Sequence, residues 1–150
     1  MMNKCMVLLA GLWMLAAGAP ASADNRRHIA FDELPAAAQQ FVRSHFANER
    51  ILRVQVERRM IDRDYDVHLA DGTSIEFDKS GTWEGIYTKY GKIPASVLPD
   101  AIRAYLREHY PDQPLRLVER DRRGYEVELG NGIELEFSPA GRLLEADRAW

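Results

Sequence analysis

Glu126, Glu128, Glu134 and Glu136 are the side chains whose type and spacing point most directly to chemistry. In the stretch GYEVELGNGIELEFSPAGRL, from Gly124 to Leu143, Tyr125, Val127 and Leu129 alternate with Glu126 and Glu128. Ile133, Leu135 and Phe137 then alternate with Glu134 and Glu136. A period of two sends successive side chains to opposite faces of a strand, so the four carboxylates share one face. A two-residue Asn131-Gly132 loop would set every apolar residue opposite a charge. A three-residue loop, Gly130 to Gly132, pairs Leu129 with Ile133, Val127 with Leu135 and Tyr125 with Phe137, and Gly132 supplies the left-handed residue that closes it. Glu126 then faces Glu136, and Glu128 faces Glu134. Like charges in direct opposition destabilise a strand pair. Either Arg116, Arg120 and Arg142 neutralise them as a surface ladder, or the patch meets a cationic partner surface or a hard cation such as calcium, which takes oxygen ligands.

Other reactive residues are sparse. The histidines are His28, His45, His68 and His109, with no H-x-x-x-H or C-x-x-C spacing to suggest a metal site. No G-x-S-x-G elbow occurs, the single cysteine is Cys5, and the Ser, Thr and Lys nucleophiles have no base nearby in sequence. No catalytic residue, metal site or cofactor is therefore expected. Tyr87 and Tyr90 form a second candidate contact cluster beside Trp83; they either pack a linker or contact a partner, for which Tyr is well suited.

The elements that would position these side chains occur twice. Asp64 to Trp83, DYDVHLADGTSIEFDKSGTW, repeats the pattern 60 residues earlier. Its Ala70-Asp71-Gly72 loop pairs Leu69 with Thr73, Val67 with Ile75 and Tyr65 with Phe77, and sets Asp66 opposite Glu76 and His68 opposite Ser74. The next turns, with Gly81 and Gly141, place Phe77 opposite Trp83 and Phe137 opposite Leu143. Helical spacing of apolar residues predicts helices over 35–46 and 99–109, with Pro35 and Pro99 in the first turn. A helix of about 12 residues is marginal alone and must dock its apolar stripe. The apolar face of each meander is the natural partner, and Tyr65, Val67, Leu69, Phe77, Tyr125, Val127, Leu129 and Phe137 are expected to be buried there. Strand-like runs at 50–59 and 115–122 precede each meander; in the second, either Leu117 or Val118 faces inward. The displacement drops from 64 at the helices to 60 at the meanders, so the second copy is four residues shorter, most simply in loops around its first strand. The expected fold is α+β: tandem helix-plus-four-strand repeats, an antiparallel sheet with both helices on one face and the other face open.

Residues 1–23 read as a cleavable secretory signal, with Lys4, an apolar run from Met6 to Ala17, and Ala21-Ser22-Ala23 as the cleavage site. The alternative, a membrane anchor, needs about 20 apolar residues rather than about 12. Cleavage after Ala23 leaves 127 residues with 19 basic against 23 acidic side chains, a formal charge of −4. Mild acidity argues against nucleic acid or an anionic membrane as partner. The organisation expected is a signal peptide at 1–23, a first repeat at 24–90 and a second at 91–150, forming one compact domain. Trp150 is either a docked or a free tail.

The pattern L-P-x-x-h-x-x-[FY]-h-x-x-x-[FY], followed by Y-x-V-x-L-x-[DN]-G-x-x-h-E-F and a closing x-G-x-h, resembles the PepSY-like repeat of small secreted bacterial proteins grouped by fold with β-lactamase-inhibitor proteins (BLIP-like). The resemblance runs from Leu34 to about Ala146 in two copies. It implies a periplasmic, non-enzymatic domain with its helices on the convex side of a sheet, which binds or inhibits an envelope or secreted protein through the open face and inserts no stable membrane segment once the signal is removed. The alternative is a small-ligand or cation-binding periplasmic protein. The matching positions Tyr65, Gly72, Phe77, Tyr125, Gly132 and Phe137 are fold residues, so no catalytic residue is carried over.

Overall fold

A computed structural model describes residues 25–148. The segment 1–23 expected to be a signal peptide, Cys5 within it, and Trp150 lie outside the described residues. Along the chain run β1 (Arg26–His28), α1 (Ala36–His45), β2 (Ile51–Arg58), β3 (Arg63–Leu69), β4 (Thr73–Phe77), β5 (Trp83–Thr88), α2 (Asp100–His109), β6 (Leu115–Asp121), β7 (Gly124–Leu129), β8 (Ile133–Phe137) and β9 (Leu143–Arg148). The nine strands form one sheet whose spatial order is the chain order, and every neighbouring pair is antiparallel. Among the described residues no helix is long and apolar enough to cross a membrane.

Pro35 and Pro99 cap the two helices rather than sitting inside them, and their carbonyls accept from the Gln39 and Arg103 amides at 3.1 and 3.0 Å. Either position uses a residue whose missing N–H a helix start does not need. Both helices cover the same face of the sheet. The Phe41 ring on α1 meets Phe77 edge-on at 5.7 Å and stacks on Trp83, and Tyr105 on α2 meets Phe137 edge-on at 5.5 Å.

The pairing on that face is Tyr65–Phe77 and Val67–Ile75 in the first half, and Tyr125–Phe137 and Val127–Leu135 in the second. These are the pairs that the three-residue loops require. Gly72 and Gly132 close those loops at φ 87° and 78°, each donating its amide to the carbonyl of Leu69 or Leu129. Tyr65 and Tyr125 correct the expected burial: both are only half-buried, at the rim of the helix-covered face, whereas Val67, Leu69, Phe77, Val127, Leu129 and Phe137 are fully buried.

Single-residue bulges settle the first strand of each half. Ile51 pairs with Leu69 and Arg53 with His68, leaving Leu52 extra; Leu115 pairs with Leu129 and Leu117 with Glu128, leaving Arg116 extra. A bulge lets residues three apart point the same way, so Leu115 and Val118 both face the core and Leu117 faces out. The four-residue shortening lies in a single hairpin. Twelve residues separate the paired Val54 and Val67 across β2–β3, whereas eight separate the paired Val118 and Val127 across β6–β7.

Core residues from both halves form a continuous line. Val54, Val67, Ile75, Ile86, Val118, Val127, Leu135 and Ala146 are successive cross-strand partners. All but Ala146 are buried.

A β-branched residue in the left-handed conformation is a steric outlier. Gly132→Val is therefore expected to destabilise the protein by about 1–3 kcal/mol, measured by denaturant unfolding against the parent. Equal unfolding midpoints and slopes would contradict the loop assignment.

Candidate functional site

The uncovered face carries the alternate residues, and in the same register they form a line of acids. Gln55, Asp66, Glu76, Gly85, Glu119, Glu126, Glu136 and Glu145 are successive partners across β2 to β9. From Asp66 to Glu145 every position but Gly85 is a carboxylate. A parallel line holds Arg53, His68, Ser74, Tyr87, Leu117, Glu128, Glu134 and Asp147. Glu126, Glu128, Glu134 and Glu136 thus share one face as expected: Glu126 and Glu136 stand in the line with Asp66, Glu76, Glu119 and Glu145, and Glu128 and Glu134 in the parallel line beside it. Glu126, Glu134, Glu136, Glu145 and Asp147 line a shallow recess of about 90 Å³.

The arginine ladder does not form. Arg116 donates to the Gly91 carbonyl at 3.0 Å, and Arg120 lies 4.9 Å from the Trp83 ring centroid, across from Tyr125 on the helix-covered side. Arg142 is exposed in the β8–β9 turn. Bulges and turns direct all three away from the carboxylates. Among the described residues no member of the acidic row stands in an ion pair.

Gly85 sits where the row crosses from one half to the other. A Cβ there would lie 3.5 Å from Glu76 Oε2 and 3.9 Å from Glu119 Cγ, so the side chains from β4 and β6 lean over the glycine from both sides. Burial, reinforced by Glu126, Glu76 and Asp121, pushes the Glu119 carboxyl up to about 7. Glu76 is raised by burial and by Asp66, and Glu126 by burial and by Glu134, Glu136 and Glu128. Asp66 and Glu128 are raised mainly by burial. Adjacent carboxylates in such a row do not titrate independently.

Tyr87 and Tyr90 occupy different places. Tyr87 is 49 % exposed on the open face between Ser74 and Leu117, one strand from Glu128's partner. Tyr90 lies beside the β3–β4 turn against Gly72, and the Lys89 ammonium is 5.1 Å from its ring centroid. The open face therefore has an apolar centre, Tyr87 and Leu117, flanked by acids. Sequence alone did not reveal Leu117, Glu119 or Glu145 as members, because their face depends on bulges and on the β5–β6 pairing.

Folding brings bases to two serines that lack them in sequence. His45 Nδ1 is 2.9 Å from Ser96 Oγ, and His68 Nδ1 is 2.9 Å from Ser74 Oγ. No carboxylate among the described residues holds the second ring nitrogen of either histidine. Burial, with Arg53 adjacent, holds His68 down to about 4, leaving it a neutral hydrogen-bonding group and a weak base. No three His, Cys, Asp or Glu side chains among the described residues are gathered as a metal centre. A second recess, of about 410 Å³, is lined by Asp78, Trp83, Glu84, Arg120, Asp121 and Tyr125 among others, and its mouth is polar and open.

Comparison with known proteins fits this architecture. A family model described as "Putative beta-lactamase-inhibitor-like, PepSY-like" matches residues 63–145. The chain belongs to the PepSY-like family. A structure described as a "putative periplasmic protein" of the DUF2874 family from Bacteroides vulgatus is 36 % identical, with a TM-score of 0.77, covering 84 % of this chain and 99 % of that one. A "putative calcium-regulated periplasmic protein" from Bacteroides thetaiotaomicron is 34 % identical, with a TM-score of 0.79 and the same coverage. A further B. vulgatus "putative periplasmic protein of unknown function" is 31 % identical, with a TM-score of 0.73, covering 81 % of this chain and 98 % of that one. No curated protein matches the chain. The PepSY-like match spans strands of both halves, and the acidic row lies on strands within it.

The raised Glu119 sets a pH dependence. Between its ordinary range and about 7 the folded protein holds a proton that the unfolded chain has lost, so stability falls as pH rises through 7. His68 acts oppositely and lower, since the unfolded imidazole takes a proton below about 6.5 that the folded one refuses. From pH 6.5 to 8 the melting temperature is expected to decline, and Glu119→Gln to flatten that decline. An unchanged slope in the variant would assign the dependence elsewhere.

Proposed function

We propose that this protein is a periplasmic, non-enzymatic binding module, built from two tandem PepSY-like repeats, that docks a basic surface of another envelope or secreted protein on its open sheet face. The observation that carries this reading is the set of open-face carboxylates, the line from Asp66 to Glu145 with Glu128, Glu134 and Asp147 beside it, none of them in an ion pair among the described residues and bordered by Tyr87 and Leu117. Self-repulsion in such a row is a stability cost that a cationic partner relieves. An apolar, aromatic centre with a charged surround is the anatomy of a binding hot spot. The periplasmic reading is supported by the descriptions of the three related structures and by the secretory pattern at 1–23. The inhibitor-like family description supports a role in binding rather than catalysis.

Calcium binding by the same face is the second reading. It is favoured by the all-oxygen donor set and by the description of the B. thetaiotaomicron relative as calcium-regulated. Calcium would draw neighbouring carboxylates of the row together, and the melting temperature would rise with its concentration.

Charge removal separates a docking surface from an inert one. Glu128→Gln with Glu134→Gln is expected to raise the melting temperature of the free protein at low salt and to abolish co-purification of its partner from periplasmic extract. The stabilisation fades as the Debye length shrinks from about 30 Å at 0.01 M to about 3 Å at 1 M ionic strength. Retention of the partner by the double variant would overturn the docking surface. A melting temperature that rises with calcium in the parent but not in the variant would establish the second reading instead.

A further inference from the structure

Antiparallel order sends alternate turns of a meander to the same end of its sheet. In this chain, one end receives the β2–β3, β4–β5, β6–β7 and β8–β9 turns. Residues 58–63, 78–82, 121–124 and 138–142 hold seven arginines and lysines against three aspartates. At the opposite end, segments 46–50, 70–72, 89–99, 110–114 and 130–132 hold three cations against three carboxylates. A chain that is acidic overall thus has one basic edge. Neighbouring hairpins are about 10 Å apart at a strand spacing of 4.7–4.9 Å, and Lys79 joins the first two through Asp62 at 2.9 Å.

The longest of these hairpins carries an apolar tip. Met60 is 103 % exposed and Ile61 91 % exposed, in the segment that has no counterpart in the β6–β7 hairpin. Directly below them Arg58 and Arg63 are cross-strand partners, both exposed, and neither has an ion pair among the described residues. Arg59 is held instead by Glu57 and Asp64 at 3.8 and 3.3 Å. Two arginines facing each other repel, and nothing in the fold requires an exposed Met-Ile pair. Both features suit a surface that is apolar inside and anionic outside.

We propose that this edge docks on an anionic phospholipid surface: Met60 and Ile61 enter the headgroup–acyl boundary while Arg58, Arg63, Lys79, Arg122 and Arg142 lie among the phosphates. The arrangement is peripheral, with a short apolar wedge beneath a basic collar, and spans nothing. The acidic row is set back by three residues from Arg63 and Lys79, about 10 Å along a strand. That is comparable to the Debye length near physiological salt, about 8 Å, so the open face stays free for its own partner.

The purified full-length mature chain is tested for co-sedimentation with phosphatidylcholine vesicles with and without phosphatidylglycerol. Binding is expected only to the anionic vesicles and is lost at high salt. Arg58→Gln with Arg63→Gln is expected to weaken it roughly tenfold or more, and Met60→Ser with Ile61→Ser to weaken it comparably. Because these side chains are exposed, melting temperatures no lower than the parent's verify that both variants fold. Absence of binding, equal binding to neutral vesicles, or variants that bind like the parent would each overturn the proposal. Tip variants that keep vesicle binding but lose a protein partner would assign the tip to that partner. Glu128→Gln with Glu134→Gln leaves vesicle binding intact, so this edge and the open face succeed or fail separately.

Discussion

Three residue pairs between β5 and β6, Gly85 with Glu119, Ile86 with Val118 and Tyr87 with Leu117, carry the register of one half of the chain into the other. Each half already has an apolar and a polar face from its own alternation. Only this junction makes the faces coincide across all the strands. A slip of one residue there would turn the second half over relative to the first, exposing Val127 and Leu135 and burying Glu126 and Glu136. The single core, the common helix-covered face and the continuous acidic row all rest on that junction.

The magnitudes show why the acidic row is tolerated. Directly opposed like charges cost roughly 0.2–1 kcal/mol per pair at a partly solvated surface. Burying a Val, Ile, Leu or Phe side chain contributes about 1.5–3 kcal/mol. The apolar line from Val54 to Leu135 therefore sets the register, and the carboxylates follow it onto the other face. Gly85 moderates the result at its most crowded point by leaving room for Glu76 and Glu119 to lean inward. The proton that Glu119 retains near neutrality is the chemical consequence of that crowding and burial.

Topology also separates charges that composition averages. A formal charge of −3 for the whole sequence describes neither the open face, with its row of acids, nor the edge where the basic hairpins gather. In a meander the hairpin ends are fixed by strand order and the faces by alternation, so an end and a face can hold opposite charge without contact. For a family whose members share this fold, hairpin length and open-face residues can change independently of the core. The four extra residues at the β2–β3 tip illustrate this: they alter one edge and leave the pairing of Val54 with Val67 in line with that of Val118 with Val127.

Local chemistry in the sequence was enough to determine the helix stripes, the strand alternation, the three-residue loops closed by Gly72 and Gly132, and the pairs Tyr65–Phe77 and Tyr125–Phe137, because each depends on residues close in the chain. The opposition of Glu126 to Glu136 and of Glu128 to Glu134 was legible for the same reason. The inward choice of Val118 over Leu117 was not, since a bulge at Arg116 changes the parity of the strand without a residue signature. The arginine ladder misled because Arg116, Arg120 and Arg142 lie near the glutamates in sequence while bulges and turns point them elsewhere. Glu119, Glu145 and the line joining them to Asp66 were decided only by the tertiary structure. Which face a residue occupies relative to another hairpin is set by inter-strand pairing between segments tens of residues apart, and alternation within one strand cannot encode it.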